Sequence, residues 1–325
     1  MKTWIRICAV ISGVLCALCA PASWTQTYPT KPIRLIVAVP PGGAADVTAR
    51  IVGQKFTEAF GQNVVVENRG GAGGTIASDI VSKATPDGYT LLWSSSTTHG
   101  VGPVLYSKLP YDALKDFTHI GLATSLPMYV VAHVSVPANS VKELIALAKA
   151  KPNTLHFYSS GNGGMPHLVG EMFKAATGAP IVHVPYKGSG PGVVDLAAGN
   201  VQLAFDSLPS VYGQIKAGRL KLLAAVGKNR SSVFPELPSL AELGYPQVDG
   251  TVWYGISSPA GIPKPVVSRI STELARVLAM PDVKERFGQQ GAIPTFLKPE
   301  QYVAYLQAEW AKWGPVVKAT GARVD

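Results

Sequence analysis

Short loops rich in glycine and hydroxyl side chains hold most of the residues in this sequence that could bind a ligand. The first, PPGGAAD at residues 40–46, follows the apolar run IRLIVAV and precedes apolar residues at helical spacing. The second, SSGNGGMPH at 159–167, has the same strand, loop and helix order. The first N–H groups of a helix lack partners within it and favour an anion, so either loop could hold a phosphate or a carboxylate. A single loop of this kind is more often a simple connection between a strand and a helix. Because there are two, a ligand-binding site and a simple connection both stay open as interpretations.

Three further polar segments lie at predicted strand ends, where ligands of open α/β sheets bind. They are the hydroxyl-rich WSSSTTHG at 93–100, the stretch VPYKGSGPGVVDLAAG at 184–199, in which Tyr186 and Lys187 precede a Gly/Pro turn, and Asp206 at the end of VQLAFD. Turn hydrogen bonds explain the serines and threonines equally well, and Asp206 could simply cap the next turn. ENRGGAGGT at 67–75 is another strand-to-glycine-to-helix junction. His99 and His167 lie in candidate loops and could donate to an anion, whereas the other four histidines are interpreted as structural.

Motifs for nucleotide binding, catalysis and metal binding are missing. The glycines of GGAGGTI do not follow G-x-G-x-x-G, no Walker A sequence occurs, and there is no G-x-S-x-G or H-E-x-x-H. The sequence therefore predicts a binding protein rather than an enzyme, with no cofactor and no metal.

The N-terminus is predicted to be a secretory signal peptide, residues 1–22. Lys2 and Arg6 precede an apolar run of about fourteen residues, shorter than the roughly 20 of a membrane-spanning helix, and Ala20-Pro21-Ala22 forms a cleavage site. Cys8, Cys16 and Cys19 all lie in this leader, so the mature protein should lack disulfides and thiolate sites. Without the leader, 27 basic residues face 20 acidic ones, a net charge of +7 from the 29 and 20 of the whole chain. The basic residues are scattered, which argues against nucleic-acid binding.

Strand-like and helical patterns alternate along the chain, which is typical of α/β sheets. The segments beginning at 128 (MYVVAHVSV) and 251 (TVWYGISSP) are strand-like, and each leads into a proline-bearing turn and a helix. A chain that leaves one lobe and later returns would cross at two such places. The C-terminal part, from about 264, is predicted to be mainly helical. The prediction of α/β sheets rests on eight strand-like runs: IRLIVAV, NVVVEN, YTLLWSS, MYVVAHVSV, TLHFYSS, APIVHVPY, VQLAFDS and RLKLLAAVG.

Taken in order, these motifs resemble the receptors of tripartite tricarboxylate transporters, the Bug or TctC family. The matching stretches include YPTKPIRLIVAVPPGGAADVTAR, VVVENRGGAGG, SSGNGGMPHL, VPYKGSGPGVVDL, GNVQLAFD and WYGISSPAGIP. The resemblance implies a type II periplasmic-binding-protein fold, in which two α/β lobes joined by two crossing strands close on a ligand. Lobe 1 would comprise 28–131 and 254–325, and lobe 2 would comprise 132–253. It also implies a monomer in the periplasm that delivers a small organic carboxylate to a permease with one large and one small membrane subunit.

The resemblance further implies which residues contact the ligand. The first two loops would hold one carboxylate, largely through backbone amides and bound water, and the other segments would line the remaining space. Two positions depart from the family pattern: Gly70 replaces a usual proline, which should loosen its loop, and Gly164 stands where a hydroxyl residue is common. The implied ligand-binding residues are Pro41, Gly42, Gly43, Ala44, Asp46, Ser94, Ser95, Thr97, Thr98, Ser159, Ser160, Gly161, Asn162, Gly163, Gly164, His167, Tyr186, Lys187, Gly188 and Asp206.

Two alternatives stay open at this point. The liganded receptor could signal to a membrane sensor kinase rather than serve a permease, and neighbouring genes would discriminate the two roles. A secreted hydrolase using Ser160, His167 and Asp206 is a second alternative, which the absence of a nucleophile-elbow sequence argues against.

Overall fold

The structure, a computed structural model, describes residues 28–231 and 233–320. The chain divides into Met1–Thr30 and a larger body, Lys31–Asp325. Of the first part only 28–30 are described, and they contain no helix or strand. The predicted signal peptide and its three cysteines lie outside the described residues. Among the helices of the described part, none combines the length and the apolar character needed to cross a membrane.

Ten strands form the sheet of the body, in the order β2-β1-β3-β9-β4-β7-β5-β6, with β8 and β10 also paired to β4. The pairs β1–β2, β1–β3, β5–β6 and β5–β7 are parallel, and the pairs made by β4 and β9 are antiparallel. The strands are β1 (Ile33–Val37), β2 (Val64–Asn68), β3 (Thr90–Ser95), β4 (Phe117–His133), β5 (His156–Ser159), β6 (Val182–Pro185), β7 (Leu203–Ser207), β8 (Leu220–Ala225), β9 (Thr251–Pro259) and β10 (Ile293–Leu297).

Strand β4 joins two halves of this sheet. As far as Pro127 it pairs with β9, and from Met128 onward it pairs with β7 and β8. Strand β9 begins at Thr251, which pairs with Pro127. We call β1–β3, β9, β10 and the first part of β4 the first lobe, and β5–β8 with the rest of β4 the second lobe. The change of pairing lies a few residues before the predicted borders at 131 and 253, which stay a prediction.

The helices follow the strands as the sequence pattern predicts, and the C-terminal part is helical apart from β10. The π-helical turn Ser96–Val101 directly follows β3, and the 3₁₀ turn Ala72–Gly74 directly precedes α2. The helices are α1 (Ala44–Phe60), α2 (Thr75–Ser82), α3 (Gly102–Leu105), α4 (Val141–Ala150), α5 (Met165–Thr177), α6 (Ser189–Ala198), α7 (Leu208–Lys216), α8 (Lys264–Ala279), α9 (Pro281–Gln289) and α10 (Pro299–Thr320).

Helix boundaries near the predicted loops have local causes. Gly43 precedes α1 in an extended conformation, and α1 ends at Gly61, which adopts the left-handed conformation that glycine tolerates best. Pro166 lies in the first turn of α5, where a missing N–H costs nothing. These features fix where the first turns of α1 and α5 lie relative to the sheet.

The sheet extends further than the sequence pattern indicates. The predicted run begins at Met128, whereas β4 begins at Phe117 and passes through GLATSLP. Gly, Ser, Thr and Pro are poor strand formers, but pairing with β9 and β10 on either side satisfies this backbone and buries most of the segment. Tertiary pairing therefore overrides local preference here.

Candidate functional site

A cavity of about 120 Å³ lies where residues of both lobes meet. Most of its lining residues come at or just after the carboxyl ends of β1, β2 and β3 in the first lobe, and of β5, β6 and β7 in the second, whereas Val252 and Tyr254 lie near the beginning of β9. This is the position at which ligands bind in open α/β sheets. An engineered cavity of 150 Å³ in another protein holds one benzene molecule, so this volume suits a small organic compound.

Four helices begin at the cavity wall. The residues preceding α1, α2, α5 and α6 are Gly43, Gly74, Gly164 and Gly188, and all four line the cavity. None of them supplies a side-chain hydrogen bond that caps its helix. The first N–H groups of these helices have no partner within the helix and carry partial positive charge. These helix N-termini give the cavity wall partial positive charge that suits an anion. The Ala44 N–H already donates to Ser210, and the Thr75 N–H already donates to the Ala72 carbonyl.

The two lobes contact each other beside these helix ends. The Ala44 N–H donates to Oγ of Ser210 at 3.2 Å, which joins the start of α1 to α7. A Cβ added at Gly43 would lie 3.8 Å from Cβ of Ser189, and one added at Gly190 would lie 2.7 Å from the carbonyl oxygen of Pro41. The lobes thus approach within van der Waals distance, and glycine permits the tightest of these contacts.

Asp206 is a buried carboxylate in the cavity wall. Its Oδ2 accepts a hydrogen bond from the Tyr158 hydroxyl at 2.9 Å, and its Oδ1 accepts from the Ser207 N–H at 2.7 Å. Burial raises the pKa of Asp206, and these donors together with Ser189 and Ser210 only partly oppose that effect. Asp206 and Lys187 are the charged side chains among the lining residues, and Lys187 is exposed.

Two aromatic rings line the cavity from the first lobe. Trp93 and Tyr254 stack with their ring centroids 6.1 Å apart and an interplanar angle of 21°. Ser96, at the start of the π-helical turn, lies beside them in the lining. Nε1 of Trp93 and Oγ of Ser96 are buried and have no hydrogen-bond partner within the part of the chain that the structure describes.

The structure brings twelve of the twenty predicted residues together around the cavity. Ser95 and Thr98 belong to this group, although their side chains also bond to each other in a capping box that starts the π-helical turn. The twelve are Gly43, Ala44, Ser95, Thr97, Thr98, Ser160, Gly161, Gly164, Tyr186, Lys187, Gly188 and Asp206.

Pro41, Gly42 and Asp46 do not line the cavity but shape the loop beside it. Gly42 has φ +90°, a conformation that glycine adopts easily, and its N–H donates to Oδ2 of Asp46. Asp46 also accepts hydrogen bonds from Arg50 and from Asn68. Burial raises the pKa of Asp46, but these hydrogen bonds outweigh it and hold the pKa below its ordinary value.

The remaining five predicted residues also lie outside the cavity lining, and several have structural partners. Oγ of Ser94 donates to the Gly255 carbonyl and lies 3.0 Å from the Tyr302 hydroxyl. Oγ of Ser159 lies 2.6 Å from Nε2 of His183. These five are Ser94, Ser159, Asn162, Gly163 and His167.

The two histidines of the candidate loops do not face the ligand position. Nδ1 of His167 accepts a hydrogen bond from the Gly163 N–H, and its ring stacks on His183 at 4.0 Å. His99 is fully buried, and its ring packs between Tyr111 and Phe117. Burial lowers the pKa of both histidines, which keeps them neutral. Neither histidine lines the cavity, and the expectation that they donate to a bound anion stays a prediction.

Sixteen lining residues are not among the twenty named ones, although several of them, including Ala45, Ser96, Met165 and Pro166, lie within the predicted segments. Some adjoin predicted ones, and the stretch 71–74 belongs to a junction whose strand-to-glycine-to-helix pattern was already visible. Trp93 begins the hydroxyl-rich candidate segment, whereas Val252 and Tyr254 gave no sequence signal, because pairing of distant strands places them here. The sixteen are Ala38, Val39, Pro40, Ala45, Gly71, Ala72, Gly73, Gly74, Trp93, Ser96, Met165, Pro166, Ser189, Ser210, Val252 and Tyr254.

The hydrolase alternative finds no support in the contacts of its three residues. His167 bonds to Gly163, and Asp206 bonds to Tyr158 and Ser207, so these contacts do not form a Ser-His-Asp relay with Ser160. Among the described residues, no group of three or more His, Cys, Asp or Glu side chains could hold a metal ion.

A two-lobed α/β body with a small cavity between the lobes, surrounded by strand ends and helix N-termini, defines a solute-binding protein. Residues 48–322 match the sequence model of the tripartite tricarboxylate transporter family receptor, TctC. The chain belongs to this family, and the resemblance inferred from its motifs is confirmed.

Individual relatives agree with the family assignment. Protein BugT of Bordetella pertussis is 38% identical over 323 residues, which cover 98% of each chain. The structure of Rpa4515 of R. palustris, solved with adipate, is 33% identical, has a TM-score of 0.89, and is matched over 91% of this chain and 100% of that one. The periplasmic binding protein BugD is 34% identical with a TM-score of 0.86, over 91% and 99%. The predicted fold of two α/β lobes is thereby confirmed.

Proposed function

We propose that this chain is a periplasmic receptor that captures a small organic carboxylate between its lobes and delivers it to a membrane permease. The observation that carries the proposal is the meeting of four helix N-termini at one cavity, each preceded by a glycine that has no capping side chain. A carboxylate bound there would accept hydrogen bonds from backbone amides, and charge-assisted bonds contribute about 1.5–3 kcal/mol each. A few of them are sufficient for micromolar affinity, which corresponds to about −8 kcal/mol.

Binding and closure of the lobes would be coupled. Gly43 and Gly74 belong to the first lobe, whereas Gly164 and Gly188 belong to the second. An anion between them is held by both sets of amides only when the lobes are in contact. The permease would then recognise the closed surface that the ligand stabilises.

The family and its relatives support the rest of the proposal. The relative solved with adipate indicates that a dicarboxylate of six carbons is within the range of ligands to test. The family description supports a permease partner, and the signal peptide predicted from the sequence of residues 1–22 supports export to the periplasm. We propose that the receptor acts as a monomer and catalyses no reaction on its ligand.

Thermal unfolding in the presence of a panel of di-, tri- and aromatic carboxylates tests the proposal. A ligand at 100 times its dissociation constant should stabilise the protein by about 2.7 kcal/mol, which raises the melting temperature measurably. The amide derivatives of the same acids, which lack the negative charge, serve as controls and should give no shift. No response to any carboxylate of a broad panel would refute the proposal.

A transport assay separates delivery from sensing. Cells that express the receptor together with a tripartite-type permease of one large and one small subunit should accumulate a labelled carboxylate that the panel identifies. Cells that lack only the receptor should not. Uptake that is independent of the receptor would leave it without a transport role.

A further inference from the structure

Two stacked histidines hold one of the glycine loops from outside the cavity. The ring centroids of His167, on α5, and His183, on β6, are 4.0 Å apart with an interplanar angle of 22°. Nδ1 of His167 accepts a hydrogen bond of 3.0 Å from the Gly163 N–H, and Nε2 of His183 lies 2.6 Å from Oγ of Ser159. The pair is therefore bonded to the beginning of the loop and to a residue near its end.

The loop at 159–164 lines the cavity and also contacts the first lobe. Its residues Ser160, Gly161 and Gly164 are part of the cavity wall. A Cβ added at Gly163 would overlap Cδ2 of Leu105 in the first lobe, so the backbone of Gly163 lies directly against that lobe. A shift of this loop would therefore change the ligand-facing wall and the contact between the lobes together.

The hydrogen bond from Gly163 defines the protonation state of His167. A backbone N–H can only donate, so Nδ1 is unprotonated and the neutral ring carries its proton on Nε2. Burial has the largest effect on the pKa of His167 and lowers it, Glu171 raises it, and Lys174 lowers it. Glu171 and Lys174 are paired with each other at 2.9 Å. Burial, followed by the charges of His167 and Lys174, lowers the pKa of His183 to about 3, so His183 stays neutral at mildly acidic pH.

We propose that neutral His167 is a positioning residue, which holds the loop at 159–164 in its ligand-binding conformation through Gly163 and does not contact the ligand itself. This inference rests on the proposed function. It fixes the sign of a pH dependence, because a histidine that donates to an anion binds it more tightly when protonated. A protonated His167 has N–H groups at both ring nitrogens and must instead give up its bond to Gly163. Ligand affinity should therefore fall on acidification below the ordinary histidine pKa of about 6.5.

Variants of His167 separate the acceptor from the ring, measured by titration calorimetry at neutral pH with the carboxylate of the panel that binds most tightly. His167→Phe keeps a ring that can stack but removes the acceptor. It should weaken binding about three- to tenfold, which is the loss of one hydrogen bond. His167→Asn places an amide oxygen near the position of Nδ1 and should recover most of that loss.

His133→Asn is the matched control in the second lobe. Nδ1 of His133 lies 2.7 Å from Oγ of Ser135, and neither residue lines the cavity. The substitution should leave the affinity and its pH dependence as in the wild type. Affinity of His167→Phe equal to that of the wild type would overturn the inference.

The pH dependence is measured as the affinity of the wild type divided by that of His167→Asn, between about pH 7.5 and pH 5. This ratio cancels the titration of the ligand and of all other groups of the protein. It should fall at least about threefold toward the acidic end, because only the wild type loses its acceptor. A ratio that rises would assign to His167 direct donation to the anion, and a ratio that rises or stays constant would overturn the inference.

NMR spectroscopy of the free protein supplies a readout that needs no ligand. Long-range ¹H–¹⁵N spectra should show His167 with an unprotonated Nδ1 at neutral pH. The Gly163 amide should exchange with solvent more slowly in the wild type and in His167→Asn than in His167→Phe. A ring protonated at Nδ1 would overturn the inference even if a carboxylate binds. If the spectra agree with the expectation and no carboxylate of the panel binds the wild type, the proposed function fails while the role of His167 in holding the loop stands.

Discussion

Substitution of Gly43 by aspartate should separate the stability of the protein from its ligand binding. Gly43 precedes α1 with φ −89° and ψ 172°, an extended conformation that any residue can adopt. An added Cβ would lie 3.8 Å from Ser189, an ordinary van der Waals distance. The new carboxylate can therefore accept hydrogen bonds from the first amides of α1, as aspartate commonly does before a helix.

Gly43→Asp should raise the stability of the free protein and lower its affinity for the ligand. In the free protein, replacing glycine by a capping aspartate contributes a few tenths of a kcal/mol, and its charge at the helix N-terminus adds about 0.3–1 kcal/mol. The free energy of unfolding should thus rise slightly. A ligand carboxylate, however, would meet a like charge about 4 Å away on the same amides, which costs about 4 kcal/mol at an effective dielectric constant of 20. Affinity should fall roughly a thousandfold.

Gly43→Ala and Gly43→Asn are the matched controls, measured by titration calorimetry and by urea unfolding without ligand. Alanine fits the available space and should change affinity by less than threefold. Asparagine caps the helix without a charge, so Gly43→Asn should lower the ligand affinity only about tenfold, which is the contribution of one amide donor. If Gly43→Asp folds normally and binds its carboxylate as the wild type does, the anion does not lie at α1 and the reasoning is wrong.

Two further predictions concern lobe contact and acid stability. A Cβ at Gly163 would overlap Cδ2 of Leu105 in the other lobe, so Gly163→Ala should weaken ligand binding at least tenfold. The additional substitution Leu105→Ala should restore part of the lost affinity. An unchanged affinity in the Gly163→Ala variant would contradict the steric argument. Burial lowers the pKa of His119 from 6.5 to about 4, so between these pH values the unfolded chain binds a proton that the folded chain does not. The free energy of unfolding should therefore fall on acidification by up to about 1.4 kcal/mol per pH unit from this group, and His119→Gln should flatten that slope in urea titrations; a slope equal to that of the wild type would show that His119 does not titrate as described.

The sequence predicts the glycine loops of the site because their cause is local. A buried strand that must turn into a helix within a few residues needs glycine or proline, and this pattern is visible at 40–43 and 159–164 without any structure. Where the residue before the helix is glycine, as at Gly43 and Gly164, that residue has no side chain that could cap the first amides of the helix. The anion-binding character of the cavity follows from these local patterns.

The serine-rich segment shows why other site residues could not be assigned from sequence. Ser94, Ser95 and Ser96 are chemically alike, and successive side chains of a strand point to opposite faces. The hydroxyl of Ser94 turns toward Tyr302, whereas Ser96 lies beyond the strand end and lines the cavity. Only the position of the last strand residue decides between them, and strand ends are the least predictable feature of a sequence.

The positions of Trp93 and Tyr254 in the cavity wall depend on pairing between strands that are distant in the sequence. Tyr254 reaches the cavity because β9 returns antiparallel to β3 with Tyr254 opposite Ser95, and Trp93 lies two residues earlier on β3. No local pattern relates residues so far apart in the chain. Composition could only indicate that two strand-borne aromatic residues exist.

The motif PPGG is best explained by contact between the lobes as well as by anion binding. A Cβ added at Gly70 or at Gly188 would lie 2.8 Å from Cδ of Pro40. Glycine at both positions therefore leaves space for the ring of Pro40. Gly70 belongs to the first lobe and Gly188 precedes α6 in the second, whose N-terminus opens on the cavity. Any larger residue at position 70 would place its Cβ 2.8 Å from Cδ of Pro40 and would therefore collide with it unless the loop moved. Contact between Gly188 and Pro40 also brings the first amides of α6 to the proposed anion position. The motif PPGG therefore links contact between the lobes to ligand binding.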